Sequence, residues 1–305
     1  MSVDLRMTVC GVDYSSPVLS ASGTFGYGLD VQPLLNPADL GGVVTKGLSP
    51  RPRPGNPPPR ICETAAGMLN SIGLENIGVE AFARDKLPGL RETNTTVVAN
   101  FFGDTLAEYV ECAAALDALD GVGSLELNIS CPNVAHGGME YGTNPAKAGE
   151  LVAACRRVTQ KPLWAKLTPN VTDIVAVARA CVDHGADALS LINTLSGIAI
   201  DVRTRKPRLG NVFGGLSGPA IKPVALRMVH LVHRASLGVP LIGIGGITTG
   251  EDVLEFLIAG ATLVQVGTVS FSEPTAMLRI QDEVRTLCTD LGIERAADLI
   301  GTFRA

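Results

Sequence analysis

Eight short apolar runs, spaced along the chain and separated by helical patterns, constrain this sequence more than any other feature. They are Pro17–Ser22, Gly42–Lys46, Thr96–Phe101, Ser124–Ile129, Pro162–Leu167, Ala188–Asn193, Pro240–Gly245 and Thr262–Gly267. The runs read as continuous hydrophobic stretches, the signature of parallel strands buried on both faces. Parallel neighbours need crossover connections, usually helical, and the intervening segments carry helix ends. Thr105-Leu-Ala-Glu108 and Thr248-Thr-Gly-Glu251 read as capping boxes. Asn144-Pro145 puts proline at the first helical position, Thr172 or Asp173 opens the next helix, and Gly185 closes it. Further helices are expected from Pro223 to about Ser236 and from near Pro274. Eight strands with crossover helices predict an α/β fold, a (β/α)8 TIM barrel. An open doubly wound sheet is the rival. Against it, Gly243-Ile-Gly245-Gly246-Ile-Thr248 has threonine where a dinucleotide fingerprint needs its third glycine.

Composition narrows the class. A chain of 305 residues fits one barrel without a composition break, so residues 1–305 are expected to form a single domain. Hydrophobic residues make up 46% and aromatics only 4%, so the core must be aliphatic. No apolar run approaches the roughly 20 residues of a membrane span, and no signal-like start is visible. A net charge of −5 without a basic block argues against nucleic acid as partner. The seven cysteines, at 10, 62, 112, 131, 155, 181 and 288, contain no C-x-x-C pair. They read as reduced thiols of a cytoplasmic protein, six of them buried as small hydrophobes and Cys131 apart.

Long connections are expected after strands 2, 4 and 6. The first, from Gly47 to about Asn76, has six prolines between Pro50 and Pro59 and reads as a stiff surface strap. The last runs from Thr194 to Pro223. Leu5–Val9 and Val12–Tyr14, joined through Cys10-Gly11, predict an N-terminal β-hairpin plugging the barrel's bottom.

Active-site groups of such barrels project from the C-terminal strand ends. Here those ends carry Ser22, Lys46-Gly47, Asn100, Asn128-Ile-Ser-Cys131-Pro-Asn133, Lys166, Ile192-Asn193-Thr194, Gly245-Gly246 and Gly267-Thr268. Lysine at an apolar strand end is costly without a partner. Lysines and amides converging without an acid point to an anionic, amide-rich ligand. Glycines after strands seven and eight fall where barrels bind phosphate through backbone N–H groups and a helix N-terminus. Cys131 sits in a Cys-Pro turn before the glycine-bearing lid Asn133–Gly142, near two lysines that favour a reactive thiolate. His136 reads as a solvated loop histidine. No metal motif is present.

Four motifs together resemble the dihydroorotate dehydrogenases: Asn128-Ile-Ser-Cys-Pro-Asn133, Lys166-Leu-Thr-Pro-Asn170, Asn70-Ser-Ile-Gly-Leu-Glu-Asn76 and Gly214-Gly-Leu-Ser-Gly-Pro219. The likeness runs from about residue 5 to 300. It implies a barrel that oxidises (S)-dihydroorotate to orotate in pyrimidine biosynthesis with FMN. By position, Cys131 would be the general base taking the C5 proton. Lys46, Asn70, Ser71, Ile72, Gly73, Leu74, Asn128, Asn193 and Thr194 would hold substrate, with help from Asn133. Ser22, Lys46, Gly47, Asn100, Asn128, Lys166, Ile192, Gly218, Gly245, Gly246, Gly267 and Thr268 would hold FMN.

Cysteine as base and no N-terminal extension set the chain apart from the quinone-using class. The run from Cys131 to Gly142 looks like the NAD-linked subclass rather than the fumarate-linked one. That subclass works with an electron-transfer subunit carrying FAD and a [2Fe–2S] cluster, in a heterotetramer of two chains of each kind. Neither cofactor has a motif here. A dihydropyrimidine dehydrogenase barrel resembles Cys-Pro-His, whereas Asn133 stands here. A non-catalytic FMN-binding scaffold is the remaining alternative, disfavoured by Cys131 beside two lysines.

Overall fold

The computed structural model describes residues 3–130 and 141–304. A two-stranded hairpin comes first, β1 (Met7–Val9) and β2 (Val12–Tyr14). Its turn has Cys10 and Gly11 at φ 52° and 79°, the left-handed pair of a tight hairpin. The first two barrel strands follow, β3 (Val18–Ser20) and β4 (Gly42–Val44). The strap then forms β5 (Ile61–Thr64) and β6 (Gly67–Asn70).

From there the chain alternates. A helical stretch runs from α1 (Gly78–Ala81) through a wide turn at Phe82–Lys86 into α2 (Leu87–Glu92). Next come β7 (Val97–Phe101), α3 (Leu106–Asp117), β8 (Ser124–Asn128), α4 (Pro145–Arg156), β9 (Leu163–Leu167), α5 (Ile174–Asp183) and β10 (Ala188–Leu191). The long connection after this sixth barrel strand contributes β11 (Leu195–Gly197), β12 (Ile200–Asp201), β13 (Lys206–Pro207) and β14 (Gly214–Ser217). The chain ends with α6 (Lys222–Arg234), β15 (Leu241–Ile244), α7 (Gly250–Ala259), β16 (Leu263–Val266) and α8 (Ala276–Asp290).

Eight strands close on themselves in the order β3-β4-β7-β8-β9-β10-β15-β16, all parallel. The expected (β/α)8 barrel is therefore present, and each of the eight apolar runs contributes one strand. Closure excludes the open doubly wound alternative. The helix over 78–92 is not announced by caps, because Pro88 and Gly89 in its body obscure the 3.6-residue period. Two helix starts differ from expectation. The box of α7 is Thr249 with Asp252, one residue later than Thr248 with Glu251, because Asp252 is the acid three residues after the capping hydroxyl. At α3, Thr105 caps Glu108 N, but the Glu108 carboxylate takes the N–H of Asp104 instead of that of Thr105.

The hairpin plugs the barrel's lower end as expected. Leu5, Met7, Val9 and Tyr14 are buried there, with the Tyr14 ring 6.2 Å from Trp164. The Tyr14 hydroxyl lies 3.4 Å from Ser124 Oγ on β8. Four of the six described cysteines are buried, Cys112, Cys155, Cys181 and Cys288. Cys10 and Cys62 are only half-buried, a correction to the expectation of six core thiols: Cys62 lies on β5, outside the barrel. Burial still pushes the Cys10 thiol up to about 11. No described helix is long and apolar enough to cross a membrane.

The long connections after the second and sixth barrel strands join in one antiparallel sheet, β11-β14-β6-β5, while residues 131–140 of the connection after the fourth lie outside the described residues. Asn70 pairs with Gly215, and Leu195 with Leu216. The proline segment is tied down as a strap. Arg53 and Asn76 exchange backbone hydrogen bonds of 2.9 and 3.1 Å, and Gly210 N donates to Pro59 O at 2.7 Å.

Removing the plug should be costly. Tyr14→Ala is expected to lower the unfolding free energy by about 3–5 kcal/mol, read by urea denaturation. A loss below about 1 kcal/mol would show that the hairpin does not complete the core.

Candidate active site

Side chains on a strand alternate in direction, so Ser124, Glu126 and Asn128 of β8 share the face turned into the barrel. The same alternation sets Lys166 on β9 and Ser190 on β10 toward the interior, paired in register. Asn100 pairs with Glu126, and Asn128 with Lys166. A polar layer thus forms across five strands, with fully buried Glu126 at its centre. Its Oε1 accepts from Asn100 Nδ2 at 2.7 Å and Lys166 Nζ at 3.4 Å. Its Oε2 accepts from Ser190 Oγ at 2.8 Å and from Gln265 Nε2 on β16.

This corrects the expectation of lysines without an acid. Lys166 is 5% exposed and has Glu126 as counter-ion. A buried ammonium without such a partner would cost several kcal/mol. Glu126, Ser190 and Gln265 are functional candidates absent from the sequence reading. The available signal is a glutamate at the centre of a strand buried along its whole length, Ser124-Leu-Glu126-Leu-Asn128, since a fully buried acid must be paired.

Lys46 differs. It makes no ion pair among the described residues, and burial depresses its pKa against the opposing influence of Glu75. Next to it, Gly47 is needed for packing: a Cβ there would fall 2.8 Å from Asn100 Oδ1 and 3.2 Å from the Phe102 ring. The Asn100 oxygen therefore lies at the strand end beside Gly47, and it is buried with no donor.

A second amide cluster stands where β8 ends. Asn128 Oδ1 accepts from Ser130 N at 3.2 Å and lies 2.9 Å from Ser130 Oγ. Asn193 Nδ2 reaches that same Ser130 Oγ at 2.9 Å, and its Oδ1 accepts from Thr194 N at 2.8 Å. Asn170, in the Lys166–Asn170 motif, holds Thr194 from the other side through Nδ2 to the Thr194 carbonyl at 3.0 Å. The structure thus unites Asn128, Lys166, Asn193 and Thr194. Cys131, Asn133 and His136 lie outside the described residues.

The strap supplies the opposite wall. Asn70 Nδ2 donates to Gly215 O at 3.3 Å. The Ser71–Leu74 turn has Gly73 and Leu74 at φ 74° and 59°, a conformation a leucine holds only when its surroundings fix it. Asn76 does part of this: its Nδ2 donates to Leu74 O at 2.9 Å, and its Oδ1 accepts from Ser49 N at 3.2 Å and Gly78 N at 2.8 Å. Asn56 adds bonds to Ser71 O and Ile72 O, 3.0 Å each. Ser71 Oγ is buried without a partner.

At the other rim, Gly245 and Gly246 have φ 131° and 74°. A Cβ on Gly246 would meet Gly218 O at 2.9 Å, and one on Gly218 would meet Thr268 Cγ2 at 3.5 Å, so Gly218, Gly246 and Thr268 adjoin. Gly267 packs on Ala21 and Thr24, beside half-buried Ser22. Ile192 is buried, with its N–H on Ile244 O at 3.0 Å. The expected helix N-terminus is not free here. The N–H groups of Thr248 and Thr249 go to Asp252, and that of Gly250 goes to Glu283. An anion at this rim must use the glycine backbone and the short turn at Thr268–Phe271.

A closed (β/α)8 barrel with Lys46, side-chain amides and positive-φ glycines around the C-terminal ends of its strands, above a buried layer that holds Lys166, belongs to the class of barrels that collect their polar groups at that end. The dihydroorotate dehydrogenase family model matches residues 4–287, so the chain belongs to the dihydroorotate dehydrogenase family. It is 56% identical over 303 residues to the dihydroorotate dehydrogenase B (NAD(+)) catalytic subunit of Pelobacter propionicus, covering 99% of each chain. It is 55% identical to the protein of that name from Geobacter sp. strain M21, covering 98% of each. The Solidesulfovibrio magneticus protein of the same name is 53% identical over 305 residues.

Asn76→Leu is expected to release the strap turn. Unfolding free energy should fall by about 2–3 kcal/mol, the loss of several buried hydrogen bonds, and ring-ligand affinity should fall with it. Unchanged denaturation and affinity would remove Asn76 from the site.

Proposed function

We propose that this chain is the catalytic half of a two-subunit dihydroorotate dehydrogenase. It oxidises (S)-dihydroorotate to orotate in pyrimidine biosynthesis and passes electrons through FMN and a partner subunit to NAD+. The observation that carries this reading is the Asn128–Ser130–Asn193 amide cluster beside Lys166, at the strand end leading into Cys131, in a chain of this family. The relatives named above support the NAD-linked reading over the fumarate-linked one.

The residues fit a flavin. Asn100 Oδ1 and Gln265 Oε1 are buried acceptors without donors, and an acceptor at the mouth suits the imide N–H of a flavin ring. Lys166 and Lys46 bring positive charge, and Gly218, Gly245, Gly246, Gly267 and Thr268 form the rim suited to its phosphate. When bound, FMN supplies the acceptor for the hydride leaving C6. Cys131 takes the C5 proton. Asn70, the Ser71–Leu74 turn, Asn128, Asn193 and Thr194 orient the pyrimidine through its amide edges, and Lys46 faces its carboxylate. The whole chain acts as one FMN-binding domain. FAD and a [2Fe–2S] cluster belong to the partner, in a heterotetramer of two chains of each kind, and the free thiols suit the cytoplasm.

Anaerobic mixing of the FMN-loaded chain with dihydroorotate tests the assignment. The wild type should bleach, while Cys131→Ala should keep its yellow flavin and bleach about 10²–10⁴ times more slowly. Wild-type bleaching in that variant would sink the role of Cys131. NAD+ reduction should require the co-expressed partner, and efficient fumarate reduction by this chain alone would overturn the acceptor.

The carboxylate contact has a pH signature. Burial holds Lys46 below the 10.5 of an ordinary lysine, so in the window beneath 10.5 the folded apo chain carries less than a full proton there. An anionic ligand raises that pKa again. Orotate binding should therefore take up protons in alkaline buffer and weaken as pH rises through this window. Calorimetry in buffers of different ionisation enthalpy reads the uptake, and Lys46→Met should abolish it. Binding without uptake would separate Lys46 from the carboxylate.

A further inference from the structure

Glu126 is fully buried inside the barrel, at the middle of the inward polar face that it forms with Ser124 and Asn128 on β8. Its two oxygens meet four donors from four other strands: Asn100 Nδ2, Lys166 Nζ, Ser190 Oγ and Gln265 Nε2. That set, all donors and no acceptor, matches a carboxylate. Two of the donors are primary amides, and each amide has an oxygen that is buried and unpartnered. An amide held by its NH2 must turn its oxygen the other way. For Asn100 that way is the mouth, beside Gly47 at the end of β4.

We propose that Glu126 is the positioning residue of the flavin site, fixing the polarity of the groups on the barrel floor: the Asn100 oxygen as acceptor toward the mouth, the Gln265 amide held by its NH2, and the Lys166 ammonium as donor. The inference rests on the flavin reading above and deepens it. Without the carboxylate, either amide is free to turn over and offer NH2 instead. The barrel would then oppose a donor to the one imide N–H of the ring, and specificity at that position would be lost. The same carboxylate balances the charge of Lys166, so the layer carries no net charge until a ligand arrives. Buried polar groups in contact with one another behave as a unit, so a single change at the hub disturbs all four partners.

Titration of the apo chain with FMN, followed by flavin fluorescence, absorption and midpoint potential, tests the inference. Glu126→Gln should weaken FMN binding by at least about tenfold and shift the visible bands of the bound flavin. It should also make that flavin easier to reduce, because a buried negative charge is gone. Glu126→Asp keeps the charge but withdraws the carboxylate from its far partners. It should weaken binding and shift the bands to a smaller degree, leaving the potential near that of the wild type. Loss of the charge alone accounts for the potential, so the positioning role is read from the bands and affinity, which the charge-conserving Glu126→Asp should also change. If Glu126→Gln fails to fold, Glu126→Asp carries the test alone. Wild-type affinity and bands in whichever variant folds overturn the proposal. A wild-type chain that binds no FMN sinks the flavin reading instead, so the two failures are distinguishable.

Discussion

Closure of the parallel sheet is the constraint on which everything else depends. The barrel strands β3 and β4 are only three residues long, too short to persist in an open sheet with unpaired edges. In the closed ring β3 lies between β16 and β4, so neither has a free edge. Closure also turns alternate side chains of every strand into a common interior, where each must be apolar or satisfied. Toward the lower end that interior is filled by Trp164 and the hairpin's Tyr14. One layer higher it becomes polar, and the satisfaction requirement is met by one carboxylate and four donors.

That layering explains why chemistry collects at one end. Residues two positions further along the same strands emerge at the rim: Asn128 above Glu126, and Thr168 above Lys166. Helices and loops return to the rim from outside, and the connections after the second and sixth barrel strands meet there as one sheet whose Asn70 and Gly215 are hydrogen-bonded partners. The site is thus a wall of strand ends on one side and a strap on the other. Asn56 and Asn76 hold the strap turn where its own backbone preference would not. The electrostatics divide accordingly: Lys166 is balanced from within, and Lys46 is left for an incoming anion.

Much of this was legible in the chain. The eight continuous apolar runs specify buried parallel strands because both faces of such a strand must be covered, and all eight run where the barrel strands lie. Helix caps at Asn144 and Asp173 follow local chemistry and were readable for that reason. The α7 cap slipped by one residue because two adjacent threonines, each with an acid three residues on, compete, and only geometry chooses between them. The α1–α2 stretch was hidden by Pro88 and Gly89. Glu126 was readable as an oddity but not as a hub, since its partners lie 26 to 139 residues away in sequence.

The sequence by itself determined the strand and helix order, the residues at the strand ends and the family motifs, because periodicity, capping and turn chemistry act over a few residues. Only the tertiary structure decided which acid neutralises which lysine, that the connections after the second and sixth barrel strands form one sheet, and that the N–H groups opening the helix after β15 are taken by Asp252 of that helix and Glu283 of α8. Those outcomes depend on the folded chain setting residues far apart in sequence within hydrogen-bonding distance, which no local rule of periodicity or capping can specify.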